Sequence, residues 1–144
     1  MLFITNFDHD VTEALYNPAS INWQMHNQVA LNVSSFLGGI TYGTAAYAYT
    51  WDRHLQTFHF GVTYINYGTF DGYDVNGVST GTFNGNEAAI SAGYNYNIPF
   101  TDFYIGANLK IITSLLEQYN SIGGAVDIGA MYINEDLDFH AALV

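Results

Sequence analysis

The chain has 144 residues, the length of one domain, and 24 of them are aromatic against 15 that are charged. Thirteen acidic and only two basic side chains, Arg53 and Lys110, give a net charge of −11, which repels a phosphate backbone and excludes nucleic-acid binding. With no cysteine there is no disulfide, thiolate metal site or cysteine nucleophile, and with no run of about 18 apolar residues there is no transmembrane helix; a spanning β-barrel, whose strands need only about 10 residues, stays open.

The first residues, Met1-Leu2-Phe3-Ile4-Thr5, have neither a basic n-region nor a long apolar stretch, so an exported chain would have lost its signal peptide or be cut. From Gln28 onward the period is two. Odd positions Val29, Leu31, Val33, Ser35 and Leu37 alternate with Gln28, Asn32 and Ser34 in a first strand. Leu37-Gly38-Gly39-Ile40 predicts a two-residue hairpin that sets Leu37 opposite Ile40, Ser35 opposite Tyr42 and Leu31 opposite Ala46, so that Ile40, Tyr42, Ala46 and Ala48 of the second strand share the apolar face.

The third strand, Thr57 to Tyr67, sets Phe58, Phe60, Val62 and Tyr64 against His59, Gly61 and Thr63; the fourth, Ala88 to Ile98, sets Ile90, Ala92, Tyr94 and Tyr96 against Ser91, Gly93, Asn95 and Asn97. Between them, Gly68 to Glu87 reads as a long hairpin folded on Asn76-Gly77 with Phe70 opposite Phe83. Carrying that register into the flanking strands would pair Val62 with Ser91 and mismatch the faces, which predicts a bulge near Gly68 or Gly85. The fifth strand alternates Phe103, Ile105, Ala107, Leu109 and Ile111 with Tyr104, Gly106, Asn108 and Lys110. The sixth sets Ile122, Val126 and Ile128 against Gly123, Asp127 and Gly129, and a seventh begins near Phe139. Pro99-Phe100-Thr101-Asp102 and Asn134-Glu135-Asp136-Leu137 are short connections on the rim away from the long hairpin.

The pattern predicts an all-β fold, one antiparallel sheet of about seven strands. A soluble surface is about a quarter charged or more. Here the polar faces are Gly, Ser, Asn, Thr and Tyr, with Lys110 and Asp127 almost the only mid-strand charges. That suits the crowded lumen of a transmembrane β-barrel, with lipid on the apolar side. Single-chain bacterial barrels close with an even number, so seven strands predict either one missed strand or a piece of a larger barrel.

Ala14-Leu15-Tyr16-Asn17-Pro18-Ala19-Ser20-Ile21, ahead of the first strand, resembles the "NPA" signature of FadL-type outer-membrane proteins. The stretch from Ile105-Gly106-Ala107-Asn108-Leu109-Lys110 through Leu116-Glu117-Gln118-Tyr119-Asn120 to Ala125-Val126-Asp127-Ile128-Gly129-Ala130-Met131-Tyr132 resembles the type IX secretion branch of that superfamily. "NPA", "MHNQ", "NYGTF" and "LEQYNS" in this order resemble its PorV/PorQ branch, the PorQ-like members in particular. The resemblance covers nearly the whole chain. It implies a fourteen-stranded barrel of FadL type in the bacterial outer membrane, of which this chain, an N-terminal portion, supplies about half. Residues 1–27 would be an N-terminal segment at or inside the barrel, and residues 28–144 its strands. The implied role is non-enzymatic, in the protein secretion machinery of Bacteroidota-type bacteria: anchoring a cell-surface attachment complex with a PorZ-like surface protein, a sortase-like component and a PorV-type barrel, in outer-membrane lipid. The alternative is a FadL-like transporter of hydrophobic molecules such as long-chain fatty acids. An apolar lumen would suit transport; a polar one of small residues suits a filled scaffold.

In a hairpin centred on Gln118-Tyr119, Lys110 and Asp127 fall directly opposite on the polar face, with Leu109 against Ile128 and Ala107 against Ala130, which predicts a lumenal ion pair. Asn17, Pro18 and Ala19 read either as a cap and turn or as a plug gating the lumen. Phe70, Tyr73 and Phe83 read as a partner-docking surface, since exposed aromatics anchor interfaces. His9, His26, His54, His59 and His140 include no second histidine at ligand spacing, and extended geometry would point the neighbours in Asp8-His9-Asp10 apart. Asp71, Asp74 and Asn76 lack the complete EF-hand pattern and read as a solvated turn. A barrel hydrolase needs Ser or Asp with a His at one rim, and His54 lies on a short turn away from the long hairpin. No catalytic residue, metal or cofactor is therefore expected.

Overall fold

Strands that alternate apolar and small polar side chains need two different surroundings, one for each face. The chain provides them by curling one antiparallel sheet into a seven-stranded half-barrel. The computed structural model describes residues 2–3, 10–52, 55–117, 119–134 and 139–144, and only the backbone at 2, 3, 139 and 140. The strands are β2 (Val29–Ser35), β3 (Thr41–Asp52), β4 (Gln56–Tyr73), β5 (Ser79–Asn97), β6 (Phe103–Leu116), β7 (Tyr119–Asn134) and β8 (Phe139–Leu143), each hydrogen-bonded to the next. A two-residue strand β1 (Leu2–Phe3) adds to β8, too short for any period to reveal it. Among the described residues β2 pairs on one side only, with β3.

The convex face is apolar and uncovered: Leu31, Val33, Ile90, Leu109 and Ile128 are 62–80% exposed. On the concave face Thr44, Thr57, His59, Ser91, Asn95 and Asn108 are buried. These are the two faces expected for β4 to β7. What buries the concave face is the chain's own residues 10–27, which form two short 3-10 turns, Val11–Leu15 and Trp23–Met25. Val11, Ala14, Ile21 and Met25 pack on Ala46 and Ala48 of β3, while Ala19 packs on Met131, Ile133 and Ala142. Burying Ile21 and Met25 completely contributes roughly 1.5–3 kcal/mol each.

The first hairpin departs from expectation. Its loop has three residues, Leu37-Gly38-Gly39, closed by Phe36 N–H donating to the Ile40 carbonyl at 2.8 Å. Ser35 therefore faces Thr41 rather than Tyr42, and Leu31 faces Ala45 rather than Ala46. A slip of one residue exchanges the faces of a strand. Ala46 and Ala48 consequently turn inward onto the N-terminal segment, while Leu31 and Val33 point outward. Two glycines in succession with φ of +83° and +79° make the longer loop accessible.

β4 and β5 run well beyond the ends read from the sequence, to Tyr73 and Ser79, so the long connection is itself a projecting two-stranded ribbon. Phe70 faces Phe83 as expected, their ring centroids 5.4 Å apart. The expected bulge lies at Gly68: pairing steps from Asn66 with Asn86 to Thr69 with Asn84, and Gly68 takes φ +79°. That extra residue restores Val62 to Ile90.

At the ribbon's tip one Asp74 carboxylate oxygen accepts the N–H groups of Asn76 and Val78, each at 2.8 Å. Donation from Val78 first, then from Asn76, holds the Asp74 carboxyl below its ordinary value. A group with a depressed folded pKa contributes order that is complete above the unfolded pKa and is lost as pH falls through the folded one. The protection of the Val78 amide, its exchange rate relative to the intrinsic rate at the same pH, should therefore persist at neutral pH and fall only below the ordinary carboxylate range; Asp74→Asn should remove that pH dependence.

Candidate functional site: the concave face and its N-terminal segment

The centre of the site is the turn made by Asn17, Pro18 and Ala19. Asn17 Oδ1 accepts the Ala19 N–H at 2.9 Å, and the Asn17 carbonyl accepts both the N–H and the hydroxyl of Ser20, at 3.1 and 2.8 Å. Proline between them fixes φ for this side-chain turn. The motif is thus a self-closed turn, and its outward carbonyls are left for the sheet.

Two adjacent strands supply the donors. Asn95 Nδ2 of β5 donates to the carbonyls of Pro18 and Ala19 at 3.2 and 3.0 Å. Asn108 Nδ2 of β6 donates to the Ala14 carbonyl at 2.8 Å, and Lys110 Nζ donates to the Leu15 carbonyl at 2.7 Å. Asn95 and Asn108 are buried at 2% and 0% exposure, so each bond replaces water that the group no longer reaches. All four of these acceptors are backbone carbonyls, so β5 and β6 hold the path of the segment, whereas β3 holds side chains of it: the Tyr42 hydroxyl meets that of Tyr16 at 2.7 Å and the Tyr47 hydroxyl donates to Asn27 Oδ1 at 2.8 Å. Close approach needs a flat floor. A Cβ at Gly106 would overlap the Pro18 carbonyl, and one at Gly129 would overlap Asn17 Oδ1.

Lys110 also forms an ion pair with Asp127, Nζ to Oδ2 at 2.6 Å, with side chains 21% and 24% exposed. The register differs from expectation by two residues. Lys110 lies directly opposite Ala125, Asp127 opposite Asn108, Leu109 opposite Val126 and Ala107 opposite Ile128. A shift of two keeps each residue on its face, and a lysine reaches its diagonal neighbour. The pair therefore forms across a diagonal, with Lys110 tying two strands and the N-terminal segment together.

Phe70, Phe83 and Tyr73 sit on the projecting ribbon, and Tyr73 is largely exposed. His59 is fully buried beside Asn108, and neither of its ring nitrogens has a well-formed hydrogen bond among the described residues. His26 Nδ1 accepts the Thr50 N–H at 3.0 Å and its ring packs on Tyr49. Asp8, His9 and His54 lie outside the described residues, as does the side chain of His140. Among the described residues no three His, Cys, Asp or Glu side chains group as a metal site. The buried hydroxyl of Ser91 donates to the Gly61 carbonyl at 3.3 Å.

Asn95 and Asn108, which hold most of the segment, were not singled out as sites in the sequence. The available signal was their type: asparagine is depleted in strands, and here two stand mid-strand on a polar face. What the site can do chemically is hold a chain. The chain matches no known family model, no curated protein and no solved structure.

Proposed function

We propose that this chain supplies strands to a FadL-type outer-membrane β-barrel of the type IX secretion system, a non-enzymatic scaffold that anchors a cell-surface attachment complex. The observation that carries the proposal is the inversion of the sheet, apolar and exposed on its convex face and polar and packed on its concave one. Lipid is the surrounding that stabilises such a convex face. On β6 the outward residues Phe103, Ile105, Ala107, Leu109 and Ile111 span nine residues, close to what a tilted strand needs to cross. Outward rings gather toward the short-turn rim, where Phe58 packs on Tyr94 and Phe103 on Tyr132 at 5.1 and 4.9 Å, as in the aromatic belts of membrane interfaces.

Scaffolding is favoured over transport by the filling of the concave face. Asn95, Asn108 and Lys110 bind the segment across the face that a transported ligand would otherwise occupy. The ribbon of β4 and β5 is the part that reaches beyond the bilayer to dock the PorZ-like surface protein, alongside a sortase-like component and a PorV-type barrel.

The test is detergent extraction of the full-length protein from native outer membranes, with identification of what co-purifies. A sortase-like protein and a surface-anchored partner are expected; bound fatty acid alone would favour transport, and solubility without detergent would overturn the barrel. Deleting residues 70–83 should release the surface partner and leave the barrel folded. Retention of the partner would sink the docking role.

A further inference from the structure

The ribbon does not present its aromatic pair outward. β5 alternates without interruption from Phe83 to Asn97, because the bulge at Gly68 belongs to β4. Phe83 therefore lies on the same face as Ser91 and Asn95, which are buried under the N-terminal segment, and Phe70 follows as its cross-strand partner. Thr82 and Asn84 lie on the opposite face, with Ile90.

The same face continues onto the neighbouring strands. Gly85 pairs with Leu116 and Leu116 with Tyr119, so Phe70, Phe83, Leu116 and Tyr119 form one inward apolar crescent at the mouth. Phe70, Leu116 and Tyr119 are 41%, 49% and 71% exposed, and nothing among the described residues covers them. The next row down the wall is polar: Glu87 pairs with Ser114 and Ser114 with Ser121, and the Ser114 hydroxyl donates to Glu87 Oε1 at 3.3 Å.

Charge at this end has one sign. Asp71 and Asp74 lie on the ribbon, Glu117 in the β6–β7 turn and Glu87 inside the crescent, while no Lys or Arg occurs among the described residues of this rim. Lys110 lies deeper and is already engaged by Asp127 and the Leu15 carbonyl. A cationic side chain satisfies both layers at once, its stem and charge against the rings and its head on Glu87.

We infer that the inner rim formed by Phe70, Phe83, Leu116 and Tyr119, with Glu87 beneath it, receives a basic, lysine- or arginine-bearing segment of the surface partner, which enters the mouth along its axis. This rests on the docking role proposed above and adds the face used and the charge of the partner.

The experiment places photo-reactive p-benzoylphenylalanine singly at Phe83, Phe70, Thr82 and Asn84 of the full-length protein in native outer membranes, and maps the cross-linked peptides of the surface protein that co-purifies with the wild type. Adducts are expected at Phe83 and Phe70, at least about tenfold above Thr82 and Asn84, on a peptide of that protein with net positive charge. Glu87→Gln, which keeps the shape and the Ser114 bond, should lower the yield about tenfold and flatten its salt dependence. Adducts at Thr82 and Asn84 alone would overturn the inner-rim assignment while leaving ribbon docking intact. Adducts at none of the four, together with partner retention after deletion of residues 70–83, would overturn both. A neutral or acidic peptide, or a cross-link back to this chain, would also overturn it.

Discussion

Replacing Lys110 with alanine should cost the folded chain about 3 kcal/mol, because one ammonium group satisfies two buried acceptors. Its Nζ lies 2.6 Å from Asp127 Oδ2 and 2.7 Å from the Leu15 carbonyl. Without it Asp127 keeps a charge in a site that water reaches only partly, and the N-terminal segment loses one of its attachments. The value sits at the low end for a broken buried pair because the two side chains retain 21% and 24% exposure. Among the described residues there is no other Lys or Arg to substitute for it. Urea titration of the refolded protein would read the loss. Lys110→Met with Asp127→Leu should recover most of it, since removing both charges leaves no orphan. A loss below about 1 kcal/mol would demote the pair to a surface contact. Altered ligand uptake at unchanged stability would instead favour transport.

That this pair could be read from the sequence, but not its register, follows from how the chain encodes its faces. Binary alternation fixes which side of a strand a residue occupies, so any even error in register is invisible to it. The β6–β7 register differs by two residues from the expected one, and every side chain keeps its face. At the first hairpin the difference is one residue, and there Ala46 and Ala48 lie on the inward side rather than with Leu31. Alanine is a weak marker of side: it suits a lipid face and a packed interior equally. The β4–β5 ribbon was legible because its constraints were redundant, with Asn76-Gly77 fixing the turn, Phe70 and Phe83 the register, and the clash with the flanking alternation requiring a bulge. The concave clamp was not legible, because Asn95 lies 77 residues from the Pro18 carbonyl and Asn108 lies 94 from the Ala14 carbonyl, and these groups meet only once the sheet curls.

Gly106→Val should expel the N-terminal segment from the concave face while leaving the sheet in place. A Cβ at Gly106 would overlap the Pro18 carbonyl and crowd the Ala19 nitrogen, which are backbone atoms that no rotamer change can move aside. The wall cannot yield either, because Gly106 is paired with Asn95 on one side and Gly129 on the other. Valine itself suits a strand. The segment must therefore lift, and with it go the two bonds from Asn95 and the burial of Ile21 and Met25, worth roughly 1.5–3 kcal/mol for each side chain. Amides of residues 11–25 should exchange more than about tenfold faster than in the wild type, with those of β5 to β7 unchanged. Gly123→Val is the matched control, since a Cβ there meets nothing within 4 Å. Unchanged exchange in the Gly106 variant would mean that the segment is not seated on this floor. Under the proposed membrane barrel, planar-bilayer recordings of the same pair of variants separate a turn from a plug: a segment that seals the lumen should release ion conductance in the Gly106 variant and not in the control. One that merely braces the wall should leave both closed and lower only the denaturation midpoint.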